Sequence, residues 1–389
     1  MHPGFNRRLG EQGIILFTSL AILSILLTVG IASRVMVRND YRILTNLRGG
    51  TETFYIAAAG VEWSKHEIAR TVAFPPAPVN RTESFAAGDF AVSFLPSVVT
   101  SPLKAQIVVR SVGTLRTSSH ILQAQLTKSY DLADSAIALR GNPAGVNLTG
   151  SGIFISGVDR DPSTGLGVAG ASPRAGISAV GQSMIDLVNQ AAVTISPQSI
   201  DSASSEPAIA QSEHLPASVV AQLANDLCSQ ASAIQSAVPL TGALVYENQT
   251  WGSASLPRLR CIDGLASTGD SVTLAGTMSG AGILIVKNAD LILTGSLRWE
   301  GMVIVTGNEV GLKVTGSSSK EILGGVILNE SGTPGINKAI LDIQGTFQLL
   351  FSRQSLSQAA TLIPTSILSQ TYAALPALIT QNYWRSVTP

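Results

Sequence analysis

Charged and aromatic side chains are scarce in this chain of 389 residues. Only 13% of the residues are charged and 5% are aromatic, whereas ordinary soluble domains carry about 25% charged residues. The formal net charge is zero, so the chain lacks the basic excess that is typical of a nucleic-acid-binding protein. With 36 glycines and a mostly aliphatic apolar content, the composition favours short, repetitive strands over a large globular enzyme.

The familiar motifs of enzyme active sites are also missing. The sequence has no P-loop, no dinucleotide-binding glycine fingerprint and no HExxH, and its four histidines are scattered. His66 lies beside Glu67 and one helical turn after Glu62, a spacing that is more typical of a solvated helix face than of a metal site. We therefore expect no catalytic residue, no metal and no cofactor, and interpret the chain as a non-enzyme.

Cysteine is limited to Cys228 and Cys261. An even number of cysteines is typical of proteins in oxidising compartments, where disulfides persist. This favours a bridge between the two residues outside the cytoplasm, and two free thiols are the alternative.

One long apolar run, GIILFTSLAILSILLTVGIAS, occupies residues 13–33. No charged residue lies between Ile14 and Ser33, and about 20 residues at 1.5 Å each match the hydrocarbon thickness of a bilayer. The run predicts a membrane-spanning helix over 14–33. A cleaved secretory signal with a cut near Ala32 is one alternative, although its apolar region is normally shorter, and a plain signal anchor is another.

The hydrophilic leader MHPGFNRRLGEQ ends in Gly13, directly before the apolar run. This arrangement resembles the signal of type IV pilins and type II secretion pseudopilins. The resemblance implies that a prepilin peptidase cuts between Gly13 and Ile14 and that the new N-terminus is methylated. Major pilins carry glutamate at the fifth mature position, which is Thr18 here. That absence is typical of the minor subunits found at filament tips.

The polar continuation of the helix strengthens the resemblance. Residues 54–62 read FYIAAAGVE and are similar to the FxAAEAGxE stretch of PilX-type minor pilins, with Ile56 and Ala58 as departures. Gly49 and Gly50 each cost about 1 kcal/mol against alanine in a helix, so we predict a kink or a break there. The helix is expected to end before the prolines that begin at Pro75.

The arginines around the apolar run give conflicting evidence on orientation. Two precede the run and four follow it closely, at Arg7, Arg8, Arg34, Arg38, Arg42 and Arg48. The positive-inside rule alone places the C-terminal side in the cytoplasm. The leader glycine, the cysteine pair and the β-rich remainder favour the opposite. We expect a single-pass protein of the bacterial inner membrane with its C-terminal body outside the cytoplasm.

The rest of the chain is read mainly as strands. Residues 88–94, 105–113 and 118–127 alternate apolar and polar side chains, which predicts an antiparallel sheet against the long helix. Short aliphatic runs closed by glycine recur over 267–350 and favour a β-solenoid, with a β-sandwich as the alternative. Residues 361–389 are interpreted as helical and then irregular, docked on the solenoid. The predicted class is α+β.

These observations divide the chain into seven segments. The predicted segments are a leader (1–13), a transmembrane helix (14–33), a helix extension (34–72), a pilin-like antiparallel sheet (73–128), a β-rich region with a helical insertion (129–266), solenoid-like repeats (267–360) and a C-terminal tail (361–389).

By resemblance, the expected function is that of a minor pilin-like subunit, at the tip or in initiation, of a type IV pilus or a related secretion filament. The partners that this implies are other pilins, the pilus assembly platform, the prepilin peptidase and a tip adhesin, with the protein in or at the membrane. A membrane-anchored β-rich adhesin or envelope binding protein outside any filament is the alternative function.

Overall fold

The computed structural model describes residues 8–71, 74–101, 103–141, 145–150, 152–172, 174–195, 199–202, 207–234, 238–239, 243–264, 270–332, 339–364, 366–367 and 377–387. Within these residues the chain forms a long N-terminal helix, an antiparallel sheet against its second half, and a mostly parallel β body. The α+β class predicted from the sequence is confirmed.

Helix α1 runs from Arg8 to Arg70, 63 residues without a break. At 1.5 Å per residue it is about 95 Å long. The helix has no break at Gly49 and Gly50, because its assignment continues through both, so a break there is wrong and a kink stays a prediction. Thr53 donates its hydroxyl to the carbonyl oxygen of Gly49 at 2.9 Å, and Ser118 of the sheet packs against Gly49. Packing of the sheet from this point onward offsets the low helix propensity of glycine.

The other elements follow in chain order. The remaining helices are α2 (Gln182–Ala192), α3 (Ala217–Ile234) and α4 (Arg353–Ala360). The strands are β1 (Arg81–Phe85), β2 (Gly88–Phe94), β3 (Val98–Ser101), β4 (Lys104–Leu115), β5 (Ser118–Ser129), β6 (Ser135–Gly141), β7 (Gly145–Leu148), β8 (Ile153–Ser156), β9 (Ala175–Ala179), β10 (Ile200–Asp201), β11 (Ile209–Gln211), β12 (Val238–Pro239), β13 (Ala243–Glu247), β14 (Thr250–Trp251), β15 (Arg258–Asp263), β16 (Ser271–Ala275), β17 (Thr277–Lys287), β18 (Asp290–Leu293), β19 (Ser296–Gly307), β20 (Leu312–Gly316), β21 (Lys320–Glu330), β22 (Ala339–Gly345), β23 (Phe347–Phe351) and β24 (Leu378–Val387).

The antiparallel sheet has the strand order β1-β2-β4-β5-β24, with β3 paired to β4. Strands β2, β4 and β5 cover the three segments whose alternation predicts them. On β4, Ala105, Ile107 and Val109 are buried, while the residues between them are partly exposed. This alternation places one face of the sheet against α1 and leaves the other to solvent.

The C-terminal segment differs from its interpretation as helical and then irregular. Residues Leu378–Val387 form β24, which pairs antiparallel with β5 at the edge of the sheet. The register shifts between Gln381 and Tyr383. Because a bulge of this kind breaks the two-residue alternation, the sequence pattern does not show the strand.

Two parallel sheets build the body. Each passage of the chain adds a short strand of 4 to 7 residues to one sheet and a second strand to the other, as in β16–β17, β18–β19, β20–β21 and β22–β23. The second strand is the longer one in the first three pairs, whereas β23 has only 5 residues. Corresponding residues stack in register along the short strands, at Val272, Leu291, Leu312 and Leu341. Parallel in-register stacking of successive coils is the geometry of a β-solenoid, the favoured interpretation of this region. The coils differ in length, so the sequence shows no strict period.

The coils extend beyond the predicted range 267–360. An earlier coil includes β13 and β15, which pair with β16 and β17. At the opposite end, β7 and β8 stack on β22 and β23, although they precede them by almost 200 residues in the chain. The segment predicted as a separate region, 129–266, therefore contributes coils to both ends of the same solenoid.

The interior divides into two apolar clusters. The smaller one lies between α1 and the antiparallel sheet and includes Ile56, Val61, Phe90 and Leu126. The larger one fills the body, where the second half of β17 is buried on both faces of its sheet. Strands that are covered on both sides read as continuous apolar runs, as ILIV at 283–286 does.

Candidate functional site

The first half of α1 exposes an unusually apolar surface. Large aliphatic and aromatic side chains from Leu16 to Ile31 are each between 57% and 74% exposed. By length and composition this helix could cross a membrane. Exposure of so many apolar side chains in water is unfavourable, so this surface requires a bilayer or a packed partner.

Three of the residues singled out from the sequence lie on this half of the helix. The backbone of α1 is already helical at Gly13 and Ile14, and Thr18 is exposed on its surface. The first seven residues of the predicted leader lie outside the described residues. These positions are consistent with one continuous helix on both sides of the predicted cut, and processing at Gly13 stays a prediction.

The second half of α1 is held by the antiparallel sheet. Ile56, Ala57, Val61 and Ile68 are buried against it. At Gly60 an added side chain would overlap Ser111 and Phe90, so the helix and the sheet approach each other closely at this point. The helix therefore has a free apolar half and a half clamped by the sheet, and the clamp fixes its direction relative to the sheet.

Lys128 closes the C-terminal end of α1. Its side chain is fully buried, and its ammonium donates hydrogen bonds to the carbonyl oxygens of Ile68, at 3.1 Å, and of Thr71. The ring of Tyr130 lies 5.5 Å from the same nitrogen. These acceptors are among the carbonyls that a helix end leaves unpaired. Burial lowers the pKa of Lys128 to about 8.

A buried ion pair joins the start of the body to the segment before α3. Nη2 of Arg140 donates to both carboxylate oxygens of Asp134, at 3.0 and 2.9 Å, and its Nε donates to the carbonyl oxygens of His214 and Leu215. Burial acts to raise the pKa of Asp134, but the guanidinium and two serine hydroxyls lower it below its ordinary value. The network ties three chain segments together, and the fully buried side chain of Arg140 at its centre indicates a structural role.

The structure joins Cys228 of α3 to Cys261 of β15 as a disulfide, with the two Cα atoms 5.5 Å apart. The bridge fastens α3 to the outer side of the solenoid. Neither cysteine lies near the apolar half of α1. In the structure the bridge links two elements of the body, and the oxidised state in the cell stays a prediction.

A polar groove of about 360 Å³ lies between the antiparallel sheet and the body. Three cationic residues, Lys104, Arg174 and Arg353, and one carboxylate, Asp131, line it. Arg174 forms an ion pair with Asp131, and Arg353 donates to the carbonyl oxygen of Ser172 at 2.8 Å. The Arg174–Asp131 pair thus ties the segment after β5 to the body, and the contact of Arg353 lies within the body.

Two of the described histidines, His120 and His214, contact neighbouring elements of the fold. Nε2 of His120 lies 3.0 Å from Oγ of Ser386, and its ring lies edge-on to Phe54. Nε2 of His214 is 2.9 Å from the carbonyl oxygen of Asp131. No group of three or more His, Cys, Asp or Glu side chains among the described residues could hold a metal ion. The absence of enzymatic activity remains an expectation.

The buried side chains of Lys128 and Arg140 had a weak signal or none in the sequence. Lys128 follows Ala124 and Leu126 at two-residue spacing, so a lysine in phase with buried residues was a usable sign. Arg140 is the penultimate residue of β6, a strand that is buried on both faces, where no alternation distinguishes a structural arginine from an exposed one.

Comparisons with known proteins give little further information. No family model matches the chain, and no curated protein matches it. Among solved structures, the competence-associated pilin ComZ from Thermus thermophilus is similar at 12% sequence identity, with 87% of this chain and 97% of that chain covered and a TM-score of 0.24. A TM-score this low does not establish a shared fold, so the function must be argued from the geometry above.

Proposed function

We propose that this chain is a pilin-like subunit of a type IV pilus or a related secretion filament, in a minor role at the tip or in initiation. The observation that carries the proposal is the division of α1 into a free apolar half and a half clamped by an antiparallel sheet. A subunit of this shape can be stored in a membrane by its free half and then packed through the same half against neighbouring helices. The motifs at Gly13 and at 54–62 support the same conclusion.

The minor role is supported by Thr18 and by the size of the body. A neutral side chain at the fifth mature position offers no carboxylate to the terminal ammonium of a neighbour, and an unpaired charge in an apolar interior is costly. The solenoid and its helices occupy most of residues 130–364 and lie beside the sheet. A subunit with this much mass outside the helix is difficult to repeat closely along a filament, but meets no such restriction at a tip.

The proposed partners follow from the same arrangement. The free half of α1 would contact other pilins, the prepilin peptidase would act at Gly13, and the assembly platform would extract the processed subunit from the inner membrane. The body would face outward, where it could contact a tip adhesin or serve in adhesion itself.

The deciding experiment is an N-terminal mass measurement on protein extracted from membranes. We expect a mature chain that begins at N-methylated Ile14, and we expect Gly13→Leu to block this processing. Gly10→Leu, three residues earlier in the same leader, is the matched control and should be processed normally. A mature protein that begins at Met1, or near Arg34, would contradict the proposal. A start at Met1 would support a membrane-anchored envelope binding protein outside any filament. A start near Arg34 would support a secreted binding protein.

A further inference from the structure

Three arginines line one side of α1 directly after the apolar run. Arg34, Arg38 and Arg42 are four residues apart, so their side chains lie along one stripe of the helix, and all three are exposed. Among the described residues, no carboxylate forms an ion pair with any of them. Arg48, the next arginine, lies outside this arginine stripe and is paired with Glu52 at 2.8 Å.

The arginine stripe is on the same side of α1 that the sheet covers farther toward the C-terminal end of the helix. Arg42 is followed at seven residues by Gly49, which contacts Ser118, and four residues later by Thr53, which is fully buried. Spacings of four and seven keep residues on one helix face. The sheet does not reach the arginines, because its first contact along this face is at Gly49. The apolar side chains Met36, Ile43 and Leu47 occupy the opposite side.

The position of the stripe relative to the bilayer follows from helix geometry. If the hydrocarbon region ends at Ser33, then Arg34, Arg38 and Arg42 lie about 2, 8 and 14 Å beyond it at 1.5 Å per residue. The head-group layer on each side of a bilayer is about 5–8 Å thick. Two arginines therefore lie within or at the edge of that layer, and the third is within a Debye length of it at about 0.15 M salt.

We propose that the arginine stripe is a binding surface for anionic phospholipid head groups. The inference rests on the membrane span in the proposed function and adds a chemical specificity to it. Each guanidinium can bind a phosphate oxygen pair through two N–H groups, and basic residues next to a span are attracted to anionic lipid. The single carboxylate between Arg34 and Arg42, Asp40, is on a different face and does not neutralise the stripe. Binding of this kind would hold the helix at a fixed depth and rotation, with the sheet above the head groups.

The test is native mass spectrometry of the full chain in detergent, titrated separately with phosphatidylglycerol and with phosphatidylcholine. We expect the unaltered protein to retain phosphatidylglycerol preferentially. The triple variant Arg34→Gln, Arg38→Gln, Arg42→Gln should lose at least about tenfold in apparent affinity for it, since each basic residue near a membrane surface contributes about fivefold. The charge-matched control, Arg110→Gln, Arg116→Gln, Lys313→Gln, changes exposed residues of the sheet and the solenoid and should retain the preference.

Equal retention of both lipids by the unaltered protein would overturn the inference, and so would an equal loss in the control. The unaltered protein could instead form dimers without added lipid that the helix triple variant does not form. The stripe would then bind a second copy of the chain, which would also overturn the inference. Insertion is measured separately, as carbonate-resistant association with phosphatidylcholine vesicles. A chain that does not insert contradicts the proposed anchor, whereas one that inserts but shows no lipid preference contradicts only the stripe. Glutamine is a good helix former, and circular dichroism verifies that each variant is folded.

Discussion

At the scale of single residues, three stacked glycines set the backbone conformation of the long strands of the solenoid. Gly282, Gly301 and Gly324 stack in register on β17, β19 and β21 and have φ angles of 120°, 133° and 146°. A side chain at each would overlap the carbonyl oxygen of the residue stacked on it. The three glycines therefore mark a bend in the long strands that residues with a Cβ cannot adopt.

The first prediction concerns the centre of this ladder. Gly301→Ala should lower the free energy of unfolding by about 2–4 kcal/mol, because it combines an unfavourable φ with a backbone overlap. The measurement is urea unfolding followed by circular dichroism. Gly165→Ala is the matched control, since Gly165 also has a positive φ of 71° but no atom within 4 Å of an added Cβ. Equal losses in the two variants would mean that the overlap is relieved and that only the backbone angle matters.

The second prediction concerns Lys128. Its pKa is lowered by burial to about 8 in the folded protein and returns to about 10.5 on unfolding. Between these values the unfolded chain binds the proton more strongly, so the stability of the fold rises with pH. From pH 7 to pH 9, Lys128 should raise the free energy of unfolding by about 1 kcal/mol.

Unfolding in urea at a series of pH values measures this contribution. Lys128→Met keeps the length and apolar stem of the side chain without the amine, and should remove the rise. A stability that falls from pH 7 to pH 9, or that rises equally in the methionine variant, would show that the buried amine does not titrate in this range.

At the scale of secondary-structure elements, the sequence was informative where one face of an element is buried and the other is not. Strands β2, β4 and β5 alternate in this way, and their bounds match the predicted ones within about two residues. The helices α2 and α3 also carry a clear helical spacing. The helix does not break at Gly49, because the packing of Gly49 and Thr53 against the sheet outweighs the low local propensity of glycine.

Other elements could not be predicted, since their partners are distant in the chain. Strand β24 pairs with β5, with Leu378 opposite Ser129, and only tertiary structure brings them together. Strands β7 and β8 are short and join the solenoid at its far end. No local pattern records which edge a short strand will cover, so the sequence assigns both only to a β-rich region, 129–266.

The third prediction concerns the contact between α3 and β15. If Cys228 and Cys261 are oxidised in the cell, alkylation of protein extracted under native conditions should modify neither until a reductant is added. Replacement of both by alanine should lower the free energy of unfolding by about 3–4 kcal/mol on the chain-entropy account, for a separation of 33 residues. Two cysteines that react without reductant would support the reversed orientation that the arginine distribution favours.

At the scale of the whole molecule, the last strand of the chain joins the antiparallel sheet that the N-terminal part of the chain forms. The chain leaves the antiparallel sheet after β5, builds the solenoid, and comes back to complete the sheet with β24. Trp384 on that strand packs on Phe54 of α1, with 5.8 Å between the ring centroids. The sheet predicted as a separate segment, 73–128, is thus completed by residues from the far end of the chain.

The final prediction concerns how many copies a filament contains. A large body beside the sheet and a neutral residue at position 18 both favour a subunit that occurs once, at an end where no further subunit must pack. In filaments sheared from cells, quantitative mass spectrometry should find far less than one copy per major subunit, and longer filaments should lower the ratio further. A ratio near one would contradict a minor role, and Thr18 would then be a neutral substitution in a repeated subunit. A ratio that is low but independent of filament length would instead place the protein along the shaft, which the size of the body makes difficult because each copy would have to displace its neighbours.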